Sequence, residues 1–221
     1  MREDRKILAL DADGVVLDYN HQACTMWEKA FGEPPIPREH PTGHHFPQRF
    51  NAERLQITAE YQHFQKVFSD NHGWRTMSAL PYALEGCHLL HDAGYDIHIV
   101  TAMPVEYESH RAENLKILGF PIARVHATGR GDGWSNPKKD ILLNLQPVAF
   151  LDDLLDNFKD VNHLLHCGLL DWHGLNTQPS LQASTHRNVL EFAQYCLQNS
   201  AQLQWTPDEV SASTPSAPTN P

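Results

Sequence analysis

The chain has 221 residues, 41% of them apolar, enough for one full domain with a real core and a modest insertion. Its formal net charge of −10 is dispersed rather than gathered in a run. That leaves no footprint for a nucleic acid polymer or an anionic membrane, and makes small molecules the expected partners.

No stretch approaches the roughly 20 apolar residues of a membrane span, and the opening MREDRK lacks the apolar core of a signal peptide. Cys24, Cys87, Cys167 and Cys196 are far apart, with no CxxC, so neither a disulfide framework nor a zinc ribbon is indicated. A cytoplasmic location with reduced thiols is the expectation. The chain has fifteen histidines, but neither His44 with His45 nor His88 with His91 finds a third ligand at finger-like spacing, and they read as exposed side chains.

Ile7, Leu8, Ala9 and Leu10 form a short apolar run of the kind buried in a parallel sheet. HQACTMWEKAFG follows as a helix ended by Gly32, and GEPPIPREHPTGHHFP is too rich in proline and glycine to continue it. AERLQITAEYQHFQKVFSD resumes helical spacing through Leu55, Ile57, Tyr61, Phe64, Val67 and Phe68. Residues 18–80 therefore read as a small helical insertion.

From Pro81 helix and strand alternate. PYALEGCHLLHDAG is a helix, YDIHIVTA a strand, VEYESHRAENLKILG a helix and ARVHAT a strand. After the glycine-rich TGRGDGW come a helix at NPKKDILLNL, a strand at PVAFLDD and a helix through DLLDNFKDVNHLLHCG. GLLDWHG and VLEFAQYCLQ close the series as strand and helix. This alternation calls for right-handed βαβ units: an α/β, Rossmann-like three-layer sandwich with a mainly parallel sheet, built from residues 1–17 and 81–199. Residues 200–221 turn to Ser, Thr, Pro, Gln and Asn and are expected to bury too little to order.

The first strand runs directly into DADGVVLD. Strand ends are where open α/β sheets place their chemistry. Side chains two apart face the same way while the strand persists, so Asp11 and Asp13 can share one site, and Gly14 frees the backbone to turn. An aspartate after a strand also serves as an ordinary turn or helix cap, so this segment alone decides nothing.

Three later segments bear on the choice. DIHIVTA ends in Thr101, a hydroxyl suited either to a phosphate oxygen or to capping the next helix. In NPKKDILLNL a lysine in the first helical turn opposes the helix dipole, a cost that a nearby anion offsets. Lys138, with Leu142 and Leu145 four and seven residues on, is expected to point away from the core face, and Lys139 is its substitute. PVAFLDDLLDN brings Asp152 and Asp153 to a buried strand exit. Two unit charges about 4 Å apart repel by about 4 kcal/mol at an effective dielectric near 20, so a neutralising cation is expected, and hard oxygen ligands favour Mg²⁺.

In this order the four segments resemble the motifs of the haloacid dehalogenase superfamily, most of whose members move phosphoryl groups through an aspartyl-phosphate. The resemblance implies Asp11 as nucleophile, Asp13 as general acid and base, and Thr101 and Lys138 as ligands of the phosphoryl oxygens. It implies Mg²⁺ held by Asp11, the Asp13 backbone carbonyl and Asp153, with Asp152 a direct or outer ligand and either Asp156 or Asn157 in support. The 18–80 insertion corresponds to the helical cap of that superfamily, where His44, His45, Arg49 and Arg54 either meet substrate or are plain surface.

The superfamily's dehalogenases carry no acidic residue two after the nucleophile, because a halide leaves without a proton. Asp13 therefore selects a phosphomonoester hydrolase acting on a small phosphorylated metabolite: a nucleotide, a sugar phosphate or phosphoglycolate. A phosphomutase or phosphotransferase, or a non-catalytic protein that binds a phosphate ligand, are the alternatives. A monomer or homodimer is expected.

Overall fold

The computed structural model describes residues 5–129, 135–172, 174 and 183–207. Six strands, β1 (Ile7–Leu10), β2 (Asp96–Thr101), β3 (Ile122–Ala127), β4 (Ala149–Asp152), β5 (His166–Leu170) and β6 (Ala183–His186), form one sheet in the order β3-β2-β1-β4-β5-β6. Every pairing is parallel. Seven α-helices accompany them: α1 (Tyr19–Phe31), α2 (Phe46–Arg49), α3 (Thr58–Asp70), α4 (Ala83–Asp92), α5 (Glu108–Ile117), α6 (Lys139–Leu145) and α7 (Val189–Gln198). This is the expected α/β, Rossmann-like architecture, with the strand order of the doubly wound sheet.

The central strands β1 and β4 are apolar on both faces because helices and turns cover both. Leu8, Leu10, Ile97 and Ile99 pack with Cys87 and Leu90 of α4 and Phe192 and Cys196 of α7. Ala9, Val100 and Phe150 pack on the opposite side with Leu142 of α6, Phe158, Val161 and Leu164. A Cβ at Gly86 would lie 2.6 Å from the Val189 carbonyl carbon, so glycine is what lets α4 and α7 approach so closely.

Between β1 and β2 the chain forms α1 to α4. Asp18 caps α1 by accepting from the His21 amide at 2.9 Å, and Gly32 ends it at φ 76°. Trp27 of α1 meets Phe64 of α3 at 6.3 Å between ring centroids, and Phe68 meets Trp74 at 4.7 Å, so this segment adds aromatic rings to the core that includes Leu8 and Leu10.

Four local expectations are corrected. The proline-rich stretch before residue 50 contains a four-residue helix, α2, which holds Pro47 in its first turn. The helix expected after β4 is only a 3-10 turn, Leu155–Phe158, followed by further turns, with Asp160 at φ 64° breaking any continuation. The strand expected at GLLDWHG ends at Leu170, and β6 follows it.

Residues 200–207, expected to be disordered, pack instead. Leu203 is buried, Trp205 packs against the α6-side core, and Lys6 donates to the Ser200 and Leu203 carbonyls at 3.1 Å each. Two large apolar side chains suffice to dock this short segment. The rest of that tail, and most of the TGRGDGW loop, lie outside the described residues. No helix among the described residues is long and apolar enough to cross a membrane.

Candidate active site

A doubly wound sheet opens a crevice where strand order reverses, beyond the carboxyl ends of the strands on either side. Here the reversal falls between β1 and β4. Asp11 follows the last residue of β1, Asp152 ends β4, and Asp153 comes next. The Asp11 amide donates to the Leu151 carbonyl at 2.9 Å, holding the two exits side by side. Sheet topology thus brings together carboxylates more than 140 positions apart in the chain.

After Asp11 the backbone turns tightly. The Val16 and Leu17 amides donate to the Ala12 carbonyl at 3.0 and 2.9 Å, and Gly14 sits at φ 84°. A side chain there would be strained, and its Cβ would lie 2.5 Å from Asp153 Oδ2, so the turn closes directly over that carboxylate. This turn leaves both Asp11 and Asp13 on the wall of one cavity of about 530 Å³, although the strand itself ends before either of them.

Lys138 decides the choice between the two lysines. Its Nζ lies 2.8 Å from Asp11 Oδ1 and 2.6 Å from Asp152 Oδ2, whereas Lys139 reaches only the exposed Asp160, at 3.4 Å. The expected direction of Lys138 is corrected: it is 1% exposed and points inward, because it is the N-cap residue of α6 rather than a member of the first turn. Burial works against its ammonium charge, but Asp11 and Asp152 outweigh burial and hold its pKa above the ordinary value.

Asn157, not Asp156, supports the acidic pair. Its amide donates to Asp152 Oδ1 at 2.9 Å and Oδ2 at 3.0 Å, while Asp156 faces solvent with Lys159. Asp152 also accepts from the Leu154 amide at 2.9 Å, so both its oxygens are engaged within the protein. Asp153 Oδ1, by contrast, is buried without a hydrogen-bond partner among the described residues. Burial, with Asp152 and Asp11 as like-charged neighbours, pushes the Asp153 carboxyl well above the usual range.

Asp11, Asp152 and Asp153 can each offer an oxygen such that all three lie within 4.8 Å of one another. Three carboxylates sharing one ammonium leave two negative charges in a buried place. An orphaned Asp153 oxygen in an all-oxygen donor set fits a hard divalent cation.

Asp13 is held by a residue that sequence reasoning missed. Arg111 of α5 is fully buried; its Nη2 donates to Asp13 Oδ1 at 2.5 Å and its Nη1 lies 3.0 Å from Met77 Sδ. Burial raises the Asp13 carboxyl above its usual range, and the Arg111 charge works against that rise. The available signal was Arg111 and Asn114, polar residues on the same helical face as Leu115, where an apolar stripe was due. Thr101 ends β2, is 1% exposed and lines the cavity. It caps no helix, since the next turn begins after Pro104 without a side-chain cap.

Of the insertion residues, His44 and His45 line the cavity. His44 is buried rather than exposed, its Nε2 lying 2.8 Å from Asp171 Oδ1 just beyond β5. Arg54 lies outside the cavity lining and pairs with Glu60 at 2.9 Å, and Arg49, too, does not line the cavity.

No family model matches the chain, and no curated protein matches its sequence. Solved structures do resemble it. A haloacid dehalogenase-like family hydrolase from Streptococcus pneumoniae superposes with a TM-score of 0.57 at 18% identity, over 86% of this chain and 98% of that one. A HAD phosphatase from Thermococcus onnurineus gives 0.54 at 15%, over 91% and 100%. An L-2-haloacid dehalogenase from Xanthobacter autotrophicus gives 0.59 at 7%, over 88% and 98%. The chain has the haloacid dehalogenase-like hydrolase fold, which serves both phosphatases and dehalogenases among these neighbours.

Proposed function

We propose that this chain, which has the haloacid dehalogenase-like fold, is an enzyme of that superfamily: a phosphomonoester hydrolase that forms an aspartyl-phosphate on Asp11. The observation that carries this reading is Asp13, a carboxyl facing the same cavity as Asp11 and held in place by the buried Arg111. A halide leaves without a proton and an alkoxide does not, so a positioned acid beside the nucleophile suits an ester.

Asp11 attacks phosphorus from the strand exit, and the alcohol departs from the far side of the phosphoryl group. Asp13 gives that alcohol its proton. Arg111 engages Oδ1, so Oδ2 is the oxygen that carries the proton, and burial of the carboxyl favours its protonated form. With the alcohol gone, Asp13 Oδ2 accepts a proton from the water that attacks phosphorus, and Asp11 is released. Lys138 Nζ and the Thr101 hydroxyl hold phosphoryl oxygens against the growing charge.

Asp11, Asp153 and Asp152 would hold a divalent cation, Mg²⁺ by the hardness of the donors, which would screen nucleophile and phosphate from each other. The substrate is a small phosphate ester.

The test is phosphate release from a panel of nucleotides, sugar phosphates and phosphoglycolate with Mg²⁺. Turnover that is lost with a chelator and with Asp11→Asn is expected. Release of halide from 2-haloacids, with no phosphate released from any ester, would replace this reading with dehalogenation.

A further inference from the structure

The cavity beside Asp11, about 530 Å³, has room for a phosphoryl group and a further group the size of a ring. Its charge is one-sided. Among the described residues that line it, Lys138 is the one lysine or arginine, and its ammonium is already shared by Asp11 and Asp152. His44 is matched by Asp171 at 2.8 Å. His45, whose side chain is exposed, offers an imidazole and not a fixed cation.

Much of the rest of the lining is aromatic or amide in character. Tyr19, Tyr61, Phe64 and Trp74 present rings, and Asn20 and Gln65 present amides. A second anionic group on the substrate would have to lose its water against aromatic rings, close to three carboxylates and with no lysine or arginine beyond Lys138 to receive it among the described residues. A flat uncharged group would instead exchange water for ring contact.

Two further atoms support the same occupant. Trp74 Nε1, a donor, and Asn20 Oδ1, an acceptor, are buried without partners among the described residues, and both side chains line the cavity. A hydroxyl or a ring heteroatom has the chemistry to meet either one.

We infer that the substrate is a monoester of an uncharged, ring-bearing alcohol, of aryl or nucleoside type, and not one that bears a carboxylate or a second phosphate. This rests on the phosphatase reading and narrows its substrate class.

The test is binding, which needs no turnover. Dissociation constants of inorganic phosphate, phenylphosphonate and phosphonoacetate are measured calorimetrically with Mg²⁺ present. Phenylphosphonate is expected to bind about tenfold more tightly than phosphate, and phosphonoacetate no more tightly than phosphate. Gln65→Lys, which adds a cation to the lining, is expected to tighten phosphonoacetate about fivefold or more relative to any gain for phosphate.

Phenylphosphonate binding no better than phosphate, or phosphonoacetate binding better than phenylphosphonate, overturns the inference and leaves the phosphatase reading standing. Failure of phosphate and both phosphonates to bind overturns the two together.

Discussion

The guanidinium of Arg111, buried in α5, donates from Nη2 to Asp13 Oδ1 at 2.5 Å, joining the helix after β2 to the turn after β1. Asp13 keeps 23% of its side chain exposed, whereas Arg111 keeps none, so the arginine is the fixed partner and the carboxylate the one it aims. Arg111→Met is expected to lower kcat by about tenfold to a hundredfold with a smaller change in KM, since Arg111 aims the acid and does not itself line the cavity. It should also cost about 3 kcal/mol of stability, the lower end for breaking a buried pair, because Asp13 retains some water. Arg111→Lys should recover part of kcat. Steady-state kinetics with urea unfolding checks each part, and a change confined to KM would mean that Arg111 serves the binding wall instead.

Mg²⁺ should stabilise the folded chain whether or not substrate is known. At about a hundred times its dissociation constant a ligand of the native state adds about 2.7 kcal/mol, which for a chain of this size raises Tm by about 5 °C or more. Asp153→Asn should remove most of that gain, because its buried Oδ1 has no partner among the described residues. Thermal melts with and without Mg²⁺, for both proteins, give the answer. An equal gain in the variant would place the cation elsewhere.

Asn157→Ala should cost about 1 to 3 kcal/mol, since it strips two hydrogen bonds from the buried Asp152 carboxylate. Asp156→Ala, on a side chain 82% exposed, should stay within about 0.5 kcal/mol of the parent. Urea midpoints at constant m distinguish them, and the reverse order would show that the acidic pair is supported otherwise.

Much of this was legible in the sequence because it is local. An apolar run that stops at two aspartates reads as a strand leaving a core, and it does so at both Asp11 and Asp152. What escaped reading depends on distant partners. Arg111 reaches Asp13 across 98 positions, and His44 reaches Asp171 across 127, with no local pattern announcing either contact. Lys138 and Lys139 differ only in backbone placement at the start of α6, which apolar spacing places to within a residue or two. β6, ASTH, has no apolar alternation to mark it and is held by pairing with β5.

Acid should weaken the fold at a histidine that does not itself line the cavity. His186 is buried beside Ser184, whose Oγ lies 2.6 Å from His186 Nε2 and 2.8 Å from His166 Nε2. Burial first, and then His166, pushes the His186 pKa down to about 4. An unfolded histidine titrates near about 6.5, so between these values the unfolded chain binds more protons than the folded one. Stability contributed by neutral His186 is therefore complete above about pH 6.5 and is lost as pH falls to about 4. His186→Phe should flatten this part of the curve, read as the difference in urea midpoint between about pH 7 and about pH 4.5. An unchanged difference would mean that His186 is already charged in the folded protein.

Transfer of a phosphoryl group to Asp11 is open to oxygen exchange, which needs no natural substrate. Inorganic phosphate labelled with ¹⁸O is incubated with the protein and Mg²⁺ in ordinary water, and the phosphate is then analysed by mass spectrometry. Reversible formation of the aspartyl-phosphate releases water from phosphate and returns it unlabelled, so stepwise loss of ¹⁸O is expected from the parent chain and none from Asp11→Asn. Full retention of label by parent protein that demonstrably binds phosphate would contradict the account.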